Sequence, residues 1–123
     1  LAECHKLGEP VSDAENRVLG TTHAELGGVL AERWNLPTTL CEMIRFHEDP
    51  NQVENPEAKS ALYCIHIADR LSSEIWEDSI EPSIWPWSPE ALAWLDSTPE
   101  SMSEMRSEVR DFTVKAKELL GVL

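Results

Sequence analysis

Apolar residues recur along this chain at intervals of three and four. Nowhere do they alternate with period two over a useful length, so the pattern predicts helices and no strand. Residues 1–7 read as the end of a helix stopped by Gly8 and Pro10. Ser12 or Asp13 can cap a short helix running to Leu19, with Gly20 as its stop. Thr21 or Thr22 caps a longer helix, and Glu25 stands three residues after Thr22, as in a capping box. Its apolar positions Leu26, Val29, Leu30 and Trp34 have the spacing of one buried face. Asn35 suits a left-handed stop, and Pro37 suits the first turn of the next helix, where its missing N–H costs nothing. Leu40, Met43, Ile44 and His47 share the inward side of that helix, and Pro50 ends it.

A long helix over 57–77 places Ala58, Leu62, Ile65, His66, Asp69 and Ile75 or Trp76 inward. Segment 78–89 holds Pro82, Pro86, Pro89, Trp85 and Trp87, and reads as a loop packed down by its aromatics. Ser88, Pro89 and Glu90 start a short helix, and Ser97 or Thr98 before Pro99 opens a last one that Gly121 stops. The apolar stripe of that last helix is Met102, Met105, Val109, Phe112 and Ala116, with Leu119 and Leu120. These elements predict an all-α fold, a compact bundle of about six or seven helices with antiparallel neighbours. Residues 1–77 form its main part, and residues 78–123, the Trp/Pro-rich loop and C-terminal helices, pack on it. Gly27 and Gly28 cost stability inside a helix, so their presence points to a close helix contact there.

Charge narrows the function classes. Ten basic residues stand against 23 acidic ones, a formal net charge of −13. Such a surface repels phosphate backbones and anionic membranes, which excludes nucleic acid and membrane surfaces as partners. Cys4, Cys41 and Cys64 form no CxxC pair, and the latter two lie in apolar helical patterns where cysteine acts as a small hydrophobe. A reduced, cytoplasmic chain is the expectation. No run reaches the roughly 18 apolar residues of a membrane span, and no signal peptide is visible. The chain begins at Leu1 in mid-pattern, as a piece of a longer protein would.

His23 lies in the first turn of its helix, His47 on an apolar face near a helix end, and His66 and Asp69 share a face three residues apart. Histidines and a carboxylate converging from three helices suit a metal with nitrogen and oxygen ligands, or acid–base work. Each also has a plainer reading: a half-exposed first-turn histidine, a satisfied core histidine, and an aspartate paired with Arg70 or Arg45. Glu48 and Asp49 at a helix C-terminus run against the dipole, a mild cost that points to another group holding them. Trp34 reads as core rather than as a stacking platform. There is no GxGxxG, no P-loop and no nucleophile elbow.

Glu15, Gly20, His23-Ala24-Glu25, Gly27, Trp34, Leu36-Pro37, Ile44, His47 and Pro50 follow one another in an order and spacing that resembles the second half of an HDOD domain. The resemblance runs from Glu15 to Leu71, taking in His66, Ala68 and Asp69, and it implies the helical fold of the HD phosphohydrolases and HD-GYP phosphodiesterases. It implies that His23, His47 and Asp69 stand at vestigial metal-ligand positions. The His-Asp pair of those enzymes has no counterpart after Leu1, and the second histidine expected after His47 is Glu48. The expectation is therefore a bacterial, non-catalytic signal-transduction domain without a cofactor. It would regulate through a signalling protein or a neighbouring domain of its own chain, or as a homodimer. The alternative is an enzyme, a divalent-metal-dependent phosphohydrolase of nucleotides or cyclic dinucleotides. A third reading is a plain helical scaffold in which the three histidines only pack.

Overall fold

The computed structural model describes residues 8–76 and 86–121, without the side chains of Ile75 and Trp76. The helix end expected at 1–7, Cys4, Trp85, most of the 78–89 loop and the inward placement of Ile75 or Trp76 lie outside the described residues. Six α-helices and one short 3₁₀ turn are present, with no strand among the described residues. They are α1 (Val11–Leu19), α2 (His23–Arg33), α3 (Thr38–Phe46), the turn Pro50–Gln52, α4 (Pro56–Trp76), α5 (Pro89–Leu95) and α6 (Pro99–Leu120).

Local chemistry explains most boundaries. Thr22 and Glu25 close the capping box at the start of α2, and Asn35 takes φ 55° just beyond its end. Gly20 and Gly121 stop α1 and α6 at φ 72° and 66°, a left-handed backbone that glycine adopts without a Cβ clash. Ser88 accepts from the Ala91 N–H at the head of α5, and Thr98 and Ser101 cap α6 reciprocally. Two starts differ from expectation. Pro10 precedes α1 with no side-chain cap, leaving Ser12 and Asp13 inside the first turn, and Pro37 stands just outside α3. A proline at the cap position supplies the extended backbone a helix entry needs, so a polar cap is dispensable there.

The centre of the molecule is α4. Its buried stripe is Leu62, Tyr63, His66, Ile67, Arg70 and Leu71, while Ile65 and Cys64 are exposed and Asp69 is half-buried. Tyr63, Ile67 and Leu71 form the main apolar cluster with Ala91 and Met102, and Trp87, Leu92, Leu95, Met105 and Val109 pack around it. The C-terminal helices thus close over α4 through Trp87 and the first half of the α6 stripe. Trp94 lies at the margin, its ring 5.8 Å from that of Tyr63. Glu74 pins this arrangement, accepting from Arg106 Nε at 2.7 Å and Trp87 Nε1 at 3.0 Å.

The inward face of α2 is not the one its large residues predict. Ala24, Gly28 and Ala31 are buried, whereas Leu26, Val29 and Leu30 are exposed and Trp34 is 70 % accessible. On α3 likewise Cys41 is buried, and Leu40 and Ile44 are exposed. The reason is the glycine pair. A Cβ on Gly27 would lie 2.8 Å from Ile44 Cγ2, and one on Gly28 would lie 2.7 Å from Arg45 Nε and 3.0 Å from Arg45 Cβ. Small residues bring α2 and α3 into close contact, and the large apolar side chains are turned outward. Leu40, Met43, Ile44 and Ile65 then line a shallow apolar groove across α3 and α4. Gly28→Ala should therefore lower stability by up to about 2 kcal/mol. Overpacking costs roughly 1–3 kcal/mol, offset by about 1 kcal/mol of better helix propensity. A lowered midpoint in urea at unchanged slope is the expected reading.

Candidate functional site

Four helices converge on the histidines. His23 opens α2, His47 ends α3 with Glu48 next to it, α1 contributes Glu15, and α4 contributes His66, Asp69 and Arg70. The capping box that fixes the first turn of α2 also fixes His23. Glu15 Oε2 accepts from both its backbone N–H at 2.9 Å and its ring Nδ1 at 2.8 Å. His47 Nδ1 donates to the Ile44 carbonyl at 2.8 Å. With both Nδ1 atoms committed as donors, each ring presents Nε2, and the two Nε2 atoms face each other at 3.2 Å. The two ring nitrogens therefore face one another as a pair of potential lone-pair donors to a third group.

His66 has a different task. It is 0 % exposed, its Nδ1 donates to the His47 carbonyl at 2.9 Å, and its Nε2 accepts from the Ser88 N–H at 2.9 Å. Both nitrogens are used in the neutral form. Burial, the largest influence, pushes its pKa below the usual imidazole value, against the pull of the His47 carbonyl. His66 is thus a clip that ties the end of α3 to the head of α5.

The carboxylates are occupied by arginine. Arg70 is 1 % exposed, and its Nη2 lies 3.3 Å from Asp69 Oδ2 and 3.7 Å from Glu48 Oε1. Glu48 Oε1 is 4.0 Å from His23 Nε2. Glu48 and Arg70 line a cavity of about 630 Å³ together with Asn16, Glu25, Arg45 and Trp87. Glu48, which opposes the α3 dipole, is thus held by Arg70.

A resident metal was tested against this donor set. The 3.2 Å separation of the two Nε2 atoms is what two ligands of one ion show, roughly 3.0–3.5 Å for bonds near 2.1 Å. The set ends there. No group of three or more His, Cys, Asp or Glu among the described residues could hold an ion. Asp69, expected to close the site, faces the Arg70 guanidinium. Catalytic sites use at least three protein ligands, so the residues present do not fit a resident metal. Of the residues singled out from sequence, His23, His47 and Glu48 come together and Asp69 reaches the group through Arg70. His66 touches it only by the His47 backbone, and Trp34 lies exposed on the surface. Arg70 and Glu15 were the functional residues least visible as such. Arg70 lies on the buried stripe of α4, but a charged side chain there reads as a break in the apolar pattern rather than as a core residue.

One comparison bears on the segment that carries three of the four helix contributions. Residues 1–50 match the family model of the HDOD domain. The match includes Glu15, His23, His47 and Glu48 and ends before His66, Asp69 and Arg70. No curated protein and no solved structure matches the chain.

Proposed function

We propose that this chain is a non-catalytic regulatory module of the HDOD type, acting in signal transduction by binding a signalling protein or a neighbouring domain of its own protein. The observation that carries the reading is the charge arrangement at the histidines. Among the described residues two imidazoles are presented, and Glu48 and Asp69 are engaged by a buried arginine. A hydrolytic di-metal site needs several carboxylate and histidine ligands with open positions. The large apolar side chains turned outward on α2 and α3 supply area for a protein contact, and the net charge of −13 disfavours nucleic acid. No helix among the described residues is long and apolar enough to cross a membrane.

The 3.2 Å imidazole pair favours one second reading, a metal-dependent phosphohydrolase. Two measurements separate them. Protein purified without chelator should carry well under one equivalent of transition metal by elemental analysis, and should not hydrolyse cyclic dinucleotides with Mn²⁺ added. Near-stoichiometric metal that disappears in His23→Ala would transfer the protein to the enzyme reading. Conversely, the surface change Trp34→Glu should leave the helical signal and melting temperature within the usual range of surface substitutions, about 0.5 kcal/mol, while abolishing the signalling output of the whole protein.

A further inference from the structure

The same cluster has a positive charge of its own. Going from His47 outward, His47 Nε2 meets His23 Nε2 at 3.2 Å, His23 Nε2 meets Glu48 Oε1 at 4.0 Å, and Glu48 Oε1 meets Arg70 Nη2 at 3.7 Å. Arg70 Nη2 then meets Asp69 Oδ2 at 3.3 Å. Glu48 reaches both an imidazole and the guanidinium, while Glu15 is committed to the far side of the His23 ring. Arg70 is enclosed at 1 % exposure on the central helix, so this charge cannot swing out to solvent as a surface arginine would.

We infer that Arg70 is the resident cation of this site: its guanidinium takes the place of a divalent ion, neutralising Glu48 and Asp69 and excluding a metal from His23 and His47. The inference rests on the non-catalytic reading above and supplies its physical cause. A divalent ion held by the two Nε2 atoms would need Glu48 as its third ligand. Glu48 would then have to leave Arg70, and a double positive charge would lie within a few ångströms of a buried single one. In a partly enclosed site that repulsion outweighs what two imidazoles return. An arginine also cannot be deprotonated to make room, unlike a lysine or histidine in the same place. The His23 side chain is 41% exposed, so exclusion is by charge and not by access.

The test is titration with Co²⁺, whose visible absorption reports its coordination, on the native chain and on three variants. The native chain is expected to show no site. Arg70→Met keeps the volume and removes the charge, and should bind Co²⁺ at least about a hundredfold tighter than the native chain, with a rise in melting temperature. Arg70→Lys keeps the charge but can give up its proton, so it should gain less than Arg70→Met. Arg70→Met combined with His23→Ala should lose what Arg70→Met gained. If Arg70→Met does not fold alone, Co²⁺ should restore its fold, because an ion that binds only the folded state stabilises it. A folded Arg70→Met that binds no Co²⁺, or an unfolded one that Co²⁺ does not rescue, overturns the inference and leaves the non-catalytic reading standing. Tight, His23-dependent Co²⁺ binding by the native chain overturns both.

Discussion

Arg70→Ala should lower the stability of this protein by about 3–5 kcal/mol, the largest effect expected of any single substitution at the site. Two losses combine. The side chain is among the largest fully enclosed in the molecule, so truncation leaves a cavity under the α4–α5 junction. It also strips the partner from Glu48, whose side chain is only 16 % exposed. The second carboxylate, Asp69, is 37 % exposed and recovers much of its solvation, so it adds little. Equilibrium unfolding in urea measures the sum. Glu48→Gln in the same background should recover part of the loss, because it removes the carboxylate left without its arginine. Identical losses for the single and the double variant would show that cavity formation accounts for all of the effect.

His66→Ala is expected to cost about 3–4 kcal/mol. The ring is fully enclosed and both nitrogens are engaged, so truncation leaves the His47 carbonyl and the Ser88 N–H without these partners at once. Ser88 is the cap of α5, so the loss should spread to that helix and loosen the Trp87 contact beside it. Fluorescence of the tryptophans should shift to the red before the far-ultraviolet helical signal falls.

The same residue sets a pH dependence. The folded ring has a lowered pKa, whereas in the unfolded chain it titrates near the ordinary imidazole value of 6.5. Below that value the unfolded state takes up a proton that the folded state refuses. The contribution of His66 is therefore fully present above about pH 6.5 and is lost as the pH falls from there toward the lowered folded value. Unfolding curves for His66→Leu should lack this slope. A variant with the native slope would assign the titration to another group.

Much of the fold was readable from residue order. The capping box at Thr22 and Glu25, the stop at Gly20, the Asn35 turn, and the Ser88 and Thr98 starts are each set by one or two neighbouring side chains competing for local backbone groups. Such signals need no distant partner. Which face of each helix turns inward was less readable. On α2 the size of Leu26, Leu30 and Trp34 outweighed, in the pattern, the small residues that do the packing. Hydrophobic periodicity reports where apolar area lies, and close approach selects where it is absent. On α4 the buried stripe includes Arg70, which no apolar pattern would choose.

The amino-acid sequence by itself determined the helices, most of their ends, the all-α class and the match of residues 1–50 to the HDOD family model. It also put His23 and His47 forward as partners, because motif order carries that relation. Only the tertiary structure decided what the cluster is. It set the imidazoles 3.2 Å apart, turned His66 into a clip, and enclosed a guanidinium between Glu48 and Asp69. The physical reason is range. Caps and stops act over three or four residues of chain, whereas the burial of a charge depends on every element that closes over it. For Arg70 those elements come from both sides of α4.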